Sequence, residues 1–260
     1  MSEVKQVREK IYGRPETKNV FPMGNCPGCH YGLIIRAICE AIDELGIQGK
    51  CIGVNGVGCS FSLGIGMDID GINCAHGAAP AVACGLKQAN FGKPIVFTLQ
   101  GDGDCAAIGM GYLINAANRA DRITVFLVNN GNFGTTGGQM APTSLHGQVT
   151  TTTPGGRDSQ VHGYPAHVPE MLAQIKGVAY AARASLDTPA NFQRAKKMIK
   201  TALQKQIDGV GFSFVELLSA CPPDWHLKPV EALHWIRERM MAEFPLGEIK
   251  NIEKIPEDSV

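Results

Sequence analysis

From Pro94 to Asn130 the chain reads PIVFTLQGDGDCAAIGMGYLINAANRADRITVFLVNN. The apolar run Pro94 to Leu99 predicts a strand entering Gly101-Asp102-Gly103-Asp104; a helix should follow, then a second strand (ITVFLV) ending on Asn129-Asn130. Strand, turn, helix and strand are the repeating unit of a parallel sheet. Two glycines let the backbone approach a phosphate closely, but an aspartate sits between them. A carboxylate beside a pyrophosphate is repulsive unless a divalent cation lies between the two anions. Mg²⁺ suits the position, because it takes oxygen ligands and keeps phosphate oxygens among them. The turn reads as a magnesium–pyrophosphate clamp centred on Asp102, and Asn129-Asn130 at the end of the next strand offers neutral oxygens.

Gly101-x-Gly103-x-x-Ala106 also satisfies a dinucleotide fingerprint. Two features count against that reading. Asp102 would repel a pyrophosphate without a metal, and Asp121 precedes the next strand, whereas a ribose-binding carboxylate should end it. A merely structural turn would leave the neighbouring asparagine pair unexplained.

Working outward, Tyr31 to Leu45 (YGLIIRAICEAIDEL) carries apolar residues at helical spacing and is followed by Gly46 as a stop. Cys51 to Val54 predicts a short strand, and Ala78 to Asn90 a small-residue helix. Gly131 to Pro165 is a long Gly/Thr-rich stretch without periodicity, the kind of loop that carries function. Pro169 to Ala182 and Ala190 to Gln206 read as helices with a short strand between them. Phe212 to Leu218 reads as a strand and Val230 to Glu243 as a closing helix. This alternation implies an α/β fold with a doubly wound, mostly parallel sheet, one domain over residues 1–260. In such sheets ligands sit beyond the carboxyl ends of strands. GDGD, the asparagine pair and Ala220-Cys221 all fall at such ends.

With 260 residues, 44% of them hydrophobic and 18% charged, the chain can bury one substantial core. Zero formal net charge gives no global field for nucleic acid or an anionic membrane. The polar start MSEVKQVREK lacks the apolar core of a leader, and no run of about eighteen apolar residues spans a bilayer, so a cytoplasmic location is expected. Nine cysteines, an odd number, then point to metal ligation or burial rather than structural disulfides.

Cys26-Pro27-Gly28-Cys29 is a CxxC on a turn before a helix. It is compatible with a buried pair, half a zinc site, a redox dithiol or, with His30, a haem-attachment motif. A four-iron cluster needs four thiolates, and Cys59 (GVGCS) and Cys221 (ACPPDW) also occupy loops beside Gly or Pro. Cys39, Cys51 and Cys84 sit in apolar patterns and read as small core hydrophobes; Cys74 and Cys105 are unassigned. His76, at a loop-to-helix boundary, could touch ligand or be structural. No GxSxG elbow supports a serine nucleophile.

Taken together, CPGC, GVGCS, AHGAAPAVACGLK, QGDGD, NNxNFGTTGGQMAPTS, GRDxxxHGYP and FPLGEIK resemble the thiamine-diphosphate-binding β subunit of 2-oxoacid:ferredoxin oxidoreductases, particularly the 2-oxoisovalerate and 2-oxoglutarate types, over nearly the whole chain. The resemblance implies the thiamine-diphosphate type of fold and Mg²⁺ held by Asp102, Asn130 and the main-chain carbonyl of Asn132. It implies Gly103 and Asp104 at the diphosphate, and Gly134, Thr135, Thr136, Gly137, Gly138 and Gln139 around the cofactor's other side. Val57, Gly58, Cys59, Ser60 and His76 would lie near its reactive ring, with Cys59 and His76 as the catalytic candidates. Cys26, Cys29, Cys59 and Cys221 would ligate one [4Fe–4S] cluster. The implied reaction is oxidative decarboxylation of a 2-oxo acid with coenzyme A, giving acyl-CoA and CO2, with electrons passing through the cluster to ferredoxin.

The chain departs from the family pattern where it reads His76-Gly77-Ala78 instead of His-Gly-Arg, and Phe133-Gly134-Thr135 instead of Tyr-Gly-Met. Asn129 to Ser144 contains no Lys or Arg to meet a second substrate carboxylate, which favours a branched-chain or aromatic 2-oxo acid, then 2-oxoglutarate. The glutamate that thiamine enzymes place against the aminopyrimidine comes from a separate domain, so the chain is expected to need an α-type partner, with γ- or δ-type subunits besides. The competing classes are a non-oxidative thiamine decarboxylase or synthase subunit, which needs no cluster, a non-catalytic iron–sulfur subunit, and a zinc-stapled NAD-binding protein.

Overall fold

The computed structural model describes residues 13–256; the polar start Met1–Lys10 lies outside them. Nine strands occur among the described residues: β1 (Cys51–Asn55), β2 (Asp70–Asn73), β3 (Ile95–Gly101), β4 (Thr124–Asn129), β5 (Asn132–Phe133), β6 (Gln139–Met140), β7 (Val178–Ser185), β8 (Phe212–Leu218) and β9 (Gly247–Asn251). Seven form one sheet in the order β2-β1-β3-β4-β8-β7-β9. All its pairings are parallel except β7 with β9. The α/β, mostly parallel architecture expected from the alternation is the one found.

The helices that cover the sheet are α1 (Tyr31–Leu45), α2 (Ser62–Gly66), α3 (Ala79–Ala89), α4 (Met110–Asn118), α5 (Ser159–His162), α6 (Val168–Ala173) and α7 (Pro189–Ile207). On one face α1 and α7 pack on Phe97, Leu99, Phe126, Val128 and Val215. On the other, α3, α4 and α6 pack on Val96, Val125, Leu127 and Phe214. Successive strand residues point to opposite faces, and here both faces are covered, so β3, β4 and β8 are mainly apolar and buried at nearly every position. Helix ends follow local chemistry. Thr188 caps α7 by accepting from the Asn191 N–H, ahead of Pro189. Gly46 ends α1 at φ 63°, its N–H donating to the Asp43 carbonyl and the next N–H, of Ile47, to the Ile42 carbonyl. No described helix is long and apolar enough to cross a membrane.

The helix expected over Pro169 to Ala182 is split: α6 ends at Ala173, and β7 begins at Val178. VAYAARAS is buried at every position, so it lacks the alternation that marks a half-exposed strand, and its alanines favour helix intrinsically. Edge strands β2 and β9 escaped the pattern as well. Of the expected core cysteines, Cys39 and Cys51 are buried, whereas Cys84 is half-buried and its thiol donates to Asp121 Oδ2 at 3.0 Å.

From β1 the chain moves outward to β2 and then returns to place β3 on the other side of β1. Strand order therefore reverses between β1 and β3. A crevice at such a point, beyond the strands' carboxyl ends, is where an α/β sheet takes its ligand.

Candidate active site: an oxygen cluster at the switch point

The crevice is a cleft of about 550 Å³ lined by the loop after β1 (Val57, Gly58, Cys59), by His76, by the β3 turn (Gly101 to Asp104), and by Asn130 and Asn132 to Thr136 after β4. Tyr31, the first residue of α1, completes its floor.

Asp102 caps the helical turn that opens at Gly103, accepting from the Gly103 N–H at 2.9 Å. Its other oxygen accepts from Thr143 Oγ1 at 2.5 Å. The side chain is 1% exposed, and burial pushes its carboxyl up from 3.8 to about 7, against the lowering effect of Thr143 and the Gly103 and Gly131 N–H groups. The Asn130 side-chain amide lies 3.1 Å from Asp102 Oδ1, 2.7 Å from the Asn132 carbonyl and 3.0 Å from Asn132 Oδ1. In the orientation that satisfies these neighbours its NH2 donates to all three; turned by 180°, it offers an oxygen at the same point. A hard dication would favour the second orientation, because Mg²⁺ takes oxygen ligands. Asp102, Asn130 and the Asn132 carbonyl thus fit such an ion by donor type.

Asn129, read from sequence with Asn130 as an oxygen donor, does not face this cluster. Its amide donates to Glu216 Oε1 at 2.7 Å, and its oxygen accepts from the Gly131 N–H at 3.0 Å. Glu216 in turn pairs with Arg183 at 2.5 Å, both fully buried. Asn129 fixes the turn after β4, and only Asn130 is presented to Asp102.

Asp104 is 2% exposed, and its carboxylate ties loops together. It accepts from the Gly77 N–H at 2.7 Å, from Gln100 Nε2 at 2.6 Å and from the Val57 N–H at 3.4 Å. His76 Nε2 stands 3.4 Å from Asp104 Oδ1 without a well-aligned hydrogen bond, and its ring meets Phe133 edge-on at 6.1 Å. Gly77 has φ +81°, and a Cβ there would press on the backbone of Gly109 at 2.7 Å. A Cβ on Gly103 would run into the Phe133 ring.

Opposite this wall, β5 and β6 form a hairpin whose tip, Gly134 to Gly138, is closed by Thr136 Oγ1 donating to Gln139 Oε1 at 2.6 Å and Gln139 Nε2 donating to the Thr136 carbonyl at 2.8 Å. Ser60 is buried and donates to the Gly56 carbonyl at 3.0 Å, which shapes the facing loop. Cys59 Sγ reaches across to Thr135 Oγ1 at 3.0 Å, so both walls touch at this thiol.

Around Cys59 lie the other candidate thiols. Asn25 donates to the Cys59 carbonyl at 3.3 Å, joining the CPGC turn to the GVGCS loop. A Cβ on Gly28 would meet Pro229 at 2.7 Å and Pro222 at 3.1 Å, so that turn also abuts the segment after Cys221. Cys221 Sγ donates to Asp224 Oδ2 at 3.1 Å, and a Cβ on Gly134 would lie 3.4 Å from both Asp224 Oδ2 and Cys59 Sγ. Among the described residues no group of three or more His, Cys, Asp or Glu converges closely enough for a single metal ion. The CPGC turn, the Cys59 loop and the segment after Cys221 are nonetheless neighbours through the contacts just described. All four cysteines are free; burial raises the Cys29 thiol to about 11 and raises Cys59 and Cys221 as well. Cys105 is buried beneath the turn, and Cys74 donates to the Asn55 carbonyl at 3.3 Å.

Sequence reading missed Thr143, Tyr31, Asp224 and Trp225. Thr143 and Asp224 each meet the site through contacts 41 and 92 residues apart in sequence. No local pattern announces such pairs.

Fold and turn define a diphosphate-binding domain of the thiamine class: the family described as "Thiamine pyrophosphate enzyme, C-terminal TPP binding domain" matches residues 59–217. The ketoisovalerate oxidoreductase subunit VorA of Methanothermobacter marburgensis is 43% identical over 226 residues, 87% of this chain and 47% of that protein. The 2-oxoglutarate synthase subunit KorB of Archaeoglobus fulgidus is 32% identical over 213 residues, 82% of this chain and 75% of that protein. A solved 2-oxoglutarate:ferredoxin oxidoreductase from Magnetococcus marinus, with 2-oxoglutarate, coenzyme A and succinyl-CoA bound, superposes with TM-score 0.75 at 26% identity, covering 95% of this chain and 87% of that one. The chain belongs to the 2-oxoacid:ferredoxin oxidoreductase family, among its thiamine-pyrophosphate-binding subunits. It spans about half the length (47%) of the VorA relative.

Proposed function

We propose that the chain binds thiamine diphosphate through Mg²⁺ held by Asp102, Asn130 and the Asn132 carbonyl. In this reading it is one half of an enzyme converting a 2-oxo acid and coenzyme A to acyl-CoA and CO2. The reaction releases two electrons and a proton, and the electrons leave singly through a [4Fe–4S] cluster on Cys26, Cys29, Cys59 and Cys221 to ferredoxin. The observation that carries the reading is the convergence on the Asn130 amide, within 2.7–3.1 Å, of the buried Asp102 carboxylate and the Asn132 carbonyl.

Bound there, thiamine diphosphate supplies the electron sink that loss of CO2 from a 2-oxo acid requires. The chain's own residues anchor, orient and exclude water. Asp102 contributes the negative charge that holds the dication, and its burial strengthens that attraction. Asp104 keeps Val57, His76 and Gly77 in one wall, while the hairpin Gly134 to Gln139 forms the other. Cys59 belongs to both the cofactor wall and the thiol ring, which brings electron donor and acceptor together.

No Lys or Arg lines the cleft, and Tyr31, Val57 and Phe133 make its apolar part. This supports a branched-chain or aromatic 2-oxo acid ahead of 2-oxoglutarate, as does the 43% identity to a ketoisovalerate oxidoreductase subunit. Among the described residues the cleft's carboxylates are Asp102 and Asp104, both engaged in hydrogen bonds, which supports a glutamate supplied to the aminopyrimidine by an α-type partner chain. All described strands outside the β5–β6 hairpin belong to one sheet, which supports the reading of a single cofactor-binding domain.

The test is the chain purified with its partner subunits. Thiamine diphosphate should bind only with a divalent cation, and iron should be present at about four per chain. Turnover of a branched-chain 2-oxo acid should require coenzyme A and reduce ferredoxin. Cofactor binding that survives chelation, or zinc in place of iron, would overturn the reading.

A further inference from the structure

Directly after β8 the chain forms a four-residue helical turn, α8 (Pro222–Trp225), capped by Cys221 and closed by His226 at φ +53°. Pro222 and Pro223 preset the backbone of its first residues. Two side chains leave this turn for the oxygen cluster. Trp225 Nε1 donates to the Asn130 carbonyl at 3.1 Å, and Asp224 Oδ2 accepts from Asn132 Nδ2 at 3.0 Å. The Trp225 ring is itself wedged against Trp235, centroids 4.3 Å apart. The same Asp224 oxygen accepts from Cys221 Sγ at 3.1 Å.

Asn130 and Asn132 are the two asparagines of the proposed dication site, separated by Gly131 at φ +66°. A backbone bent through glycine has little stiffness of its own. Whether the Asn130 side chain and the Asn132 carbonyl point at Asp102 depends on what holds that bend from outside. From below, Asn129 and Ser144 hold Gly131. From the cysteine side, the α8 turn holds Asn130 and Asn132.

The geometry points to Asp224 and Trp225 as positioning residues for the dication–diphosphate site, and to the Cys221–Trp225 turn as one support shared by that site and the thiol ring. This deepens the proposed function and rests on it. Neither residue need touch the cofactor. Each acts through an asparagine, and each lies only three or four residues along the backbone from Cys221. Occupancy of the thiol ring and affinity for the dication are thereby coupled, and such coupling is reciprocal.

The experiment uses the assembled protein, stripped by chelation and titrated with Mg²⁺ at fixed thiamine diphosphate in a calorimeter. Trp225→Phe keeps the ring packing and deletes one N–H; the Mg²⁺ midpoint should rise about fivefold, with turnover regained at saturating Mg²⁺ and iron content unchanged. Asp224→Ala should raise the midpoint by a similar or larger factor. Asp224→Asn, which keeps an oxygen for Asn132, should restore it to within about twofold. A purely structural role would lower the melting temperature and leave the Mg²⁺ midpoint where it was. Parent-like midpoints in both Trp225→Phe and Asp224→Ala would overturn the inference while leaving the function standing. A parent protein that binds no thiamine diphosphate at any Mg²⁺ concentration would instead sink the function, and the inference with it.

Discussion

Asp102 should be a residue whose removal makes the cofactor-free protein more stable. Its carboxyl is 1% exposed, and burial carries it from 3.8 to about 7. At 1.36 kcal/mol per pH unit of that gap, ionising Asp102 in the empty folded site costs about 4 kcal/mol relative to the unfolded chain. The sign follows from which state holds the proton more tightly. The folded state does, so the contribution favours folding fully below pH 3.8, is lost as pH rises toward 7, and stays lost above it. Asp102→Asn removes the charge yet still offers an oxygen to the Gly103 N–H and an amide to Thr143. In chelator, urea unfolding should find the Asn variant more stable by about 4 kcal/mol at pH 8 and by about 1 kcal/mol at pH 4.5. The same variant should lose Mg²⁺-dependent binding of thiamine diphosphate. Saturating Mg²⁺ and cofactor should close the gap at pH 8 by stabilising only the parent. A cofactor-free parent as stable as Asp102→Asn at pH 8 would refute the burial argument, and with it the claim that stability is given up here for a cation site.

Other outcomes are as specific. Gly103→Ala drives a methyl into the Phe133 ring and should cost about 2 kcal/mol in thermal unfolding, with weakened cofactor binding because the hairpin wall must shift. Arg157 is 3% exposed and donates to the carbonyls of Ala141, Pro142, Ser144, His162, Gly163 and Tyr164. Arg157→Met should therefore lower stability by about 3 kcal/mol and speed amide exchange across 141–164, including Thr143 beneath Asp102. Replacing Cys26, Cys29, Cys59 or Cys221 by Ala should abolish iron incorporation in the assembled protein. Cys39→Ala and Cys51→Ala should retain iron, and a retained visible spectrum in Cys221→Ala would remove that residue from the thiol ring.

What the sequence made legible was what local chemistry decides. A strand running into a glycine-rich turn, a helix and a second strand is a unit of a parallel sheet, so the sheet and the place of the turn at its carboxyl edge both followed from one stretch. The Asn pair was legible only as a pair. Adjacent residues at a strand end point oppositely, and which one meets Asp102 depends on the register of β4 against β8, where Glu216 claims Asn129. The two aspartates were equally alike on paper. Asp104 became a tether because Gly77, Val57 and Gln100 converge on it from three segments. Strand β7 was hidden by burial on both faces, which erases the period that a half-exposed strand displays.

The arrangement of the strands also shows how one end of the sheet would serve both proposed cofactors. Cys59 follows β1, Asp102 follows β3, Asn130 follows β4 and Cys221 follows β8, and these four strands are neighbours in that order. At about 4.8 Å per strand, the outer two end roughly 14 Å apart. Cys59 and Cys221 must lean inward over the ends of β3 and β4 to share one inorganic core. Gly134 lies beside Cys59 and the α8 turn: a Cβ there would touch Cys59 Sγ and Asp224 Oδ2, 3.4 Å from each. Under the proposed assignment the dication ligands Asp102 and Asn130 follow the two inner strands, so a cluster held by Cys59 and Cys221 would sit beside the diphosphate site; the sheet's own spacing would bring the two together.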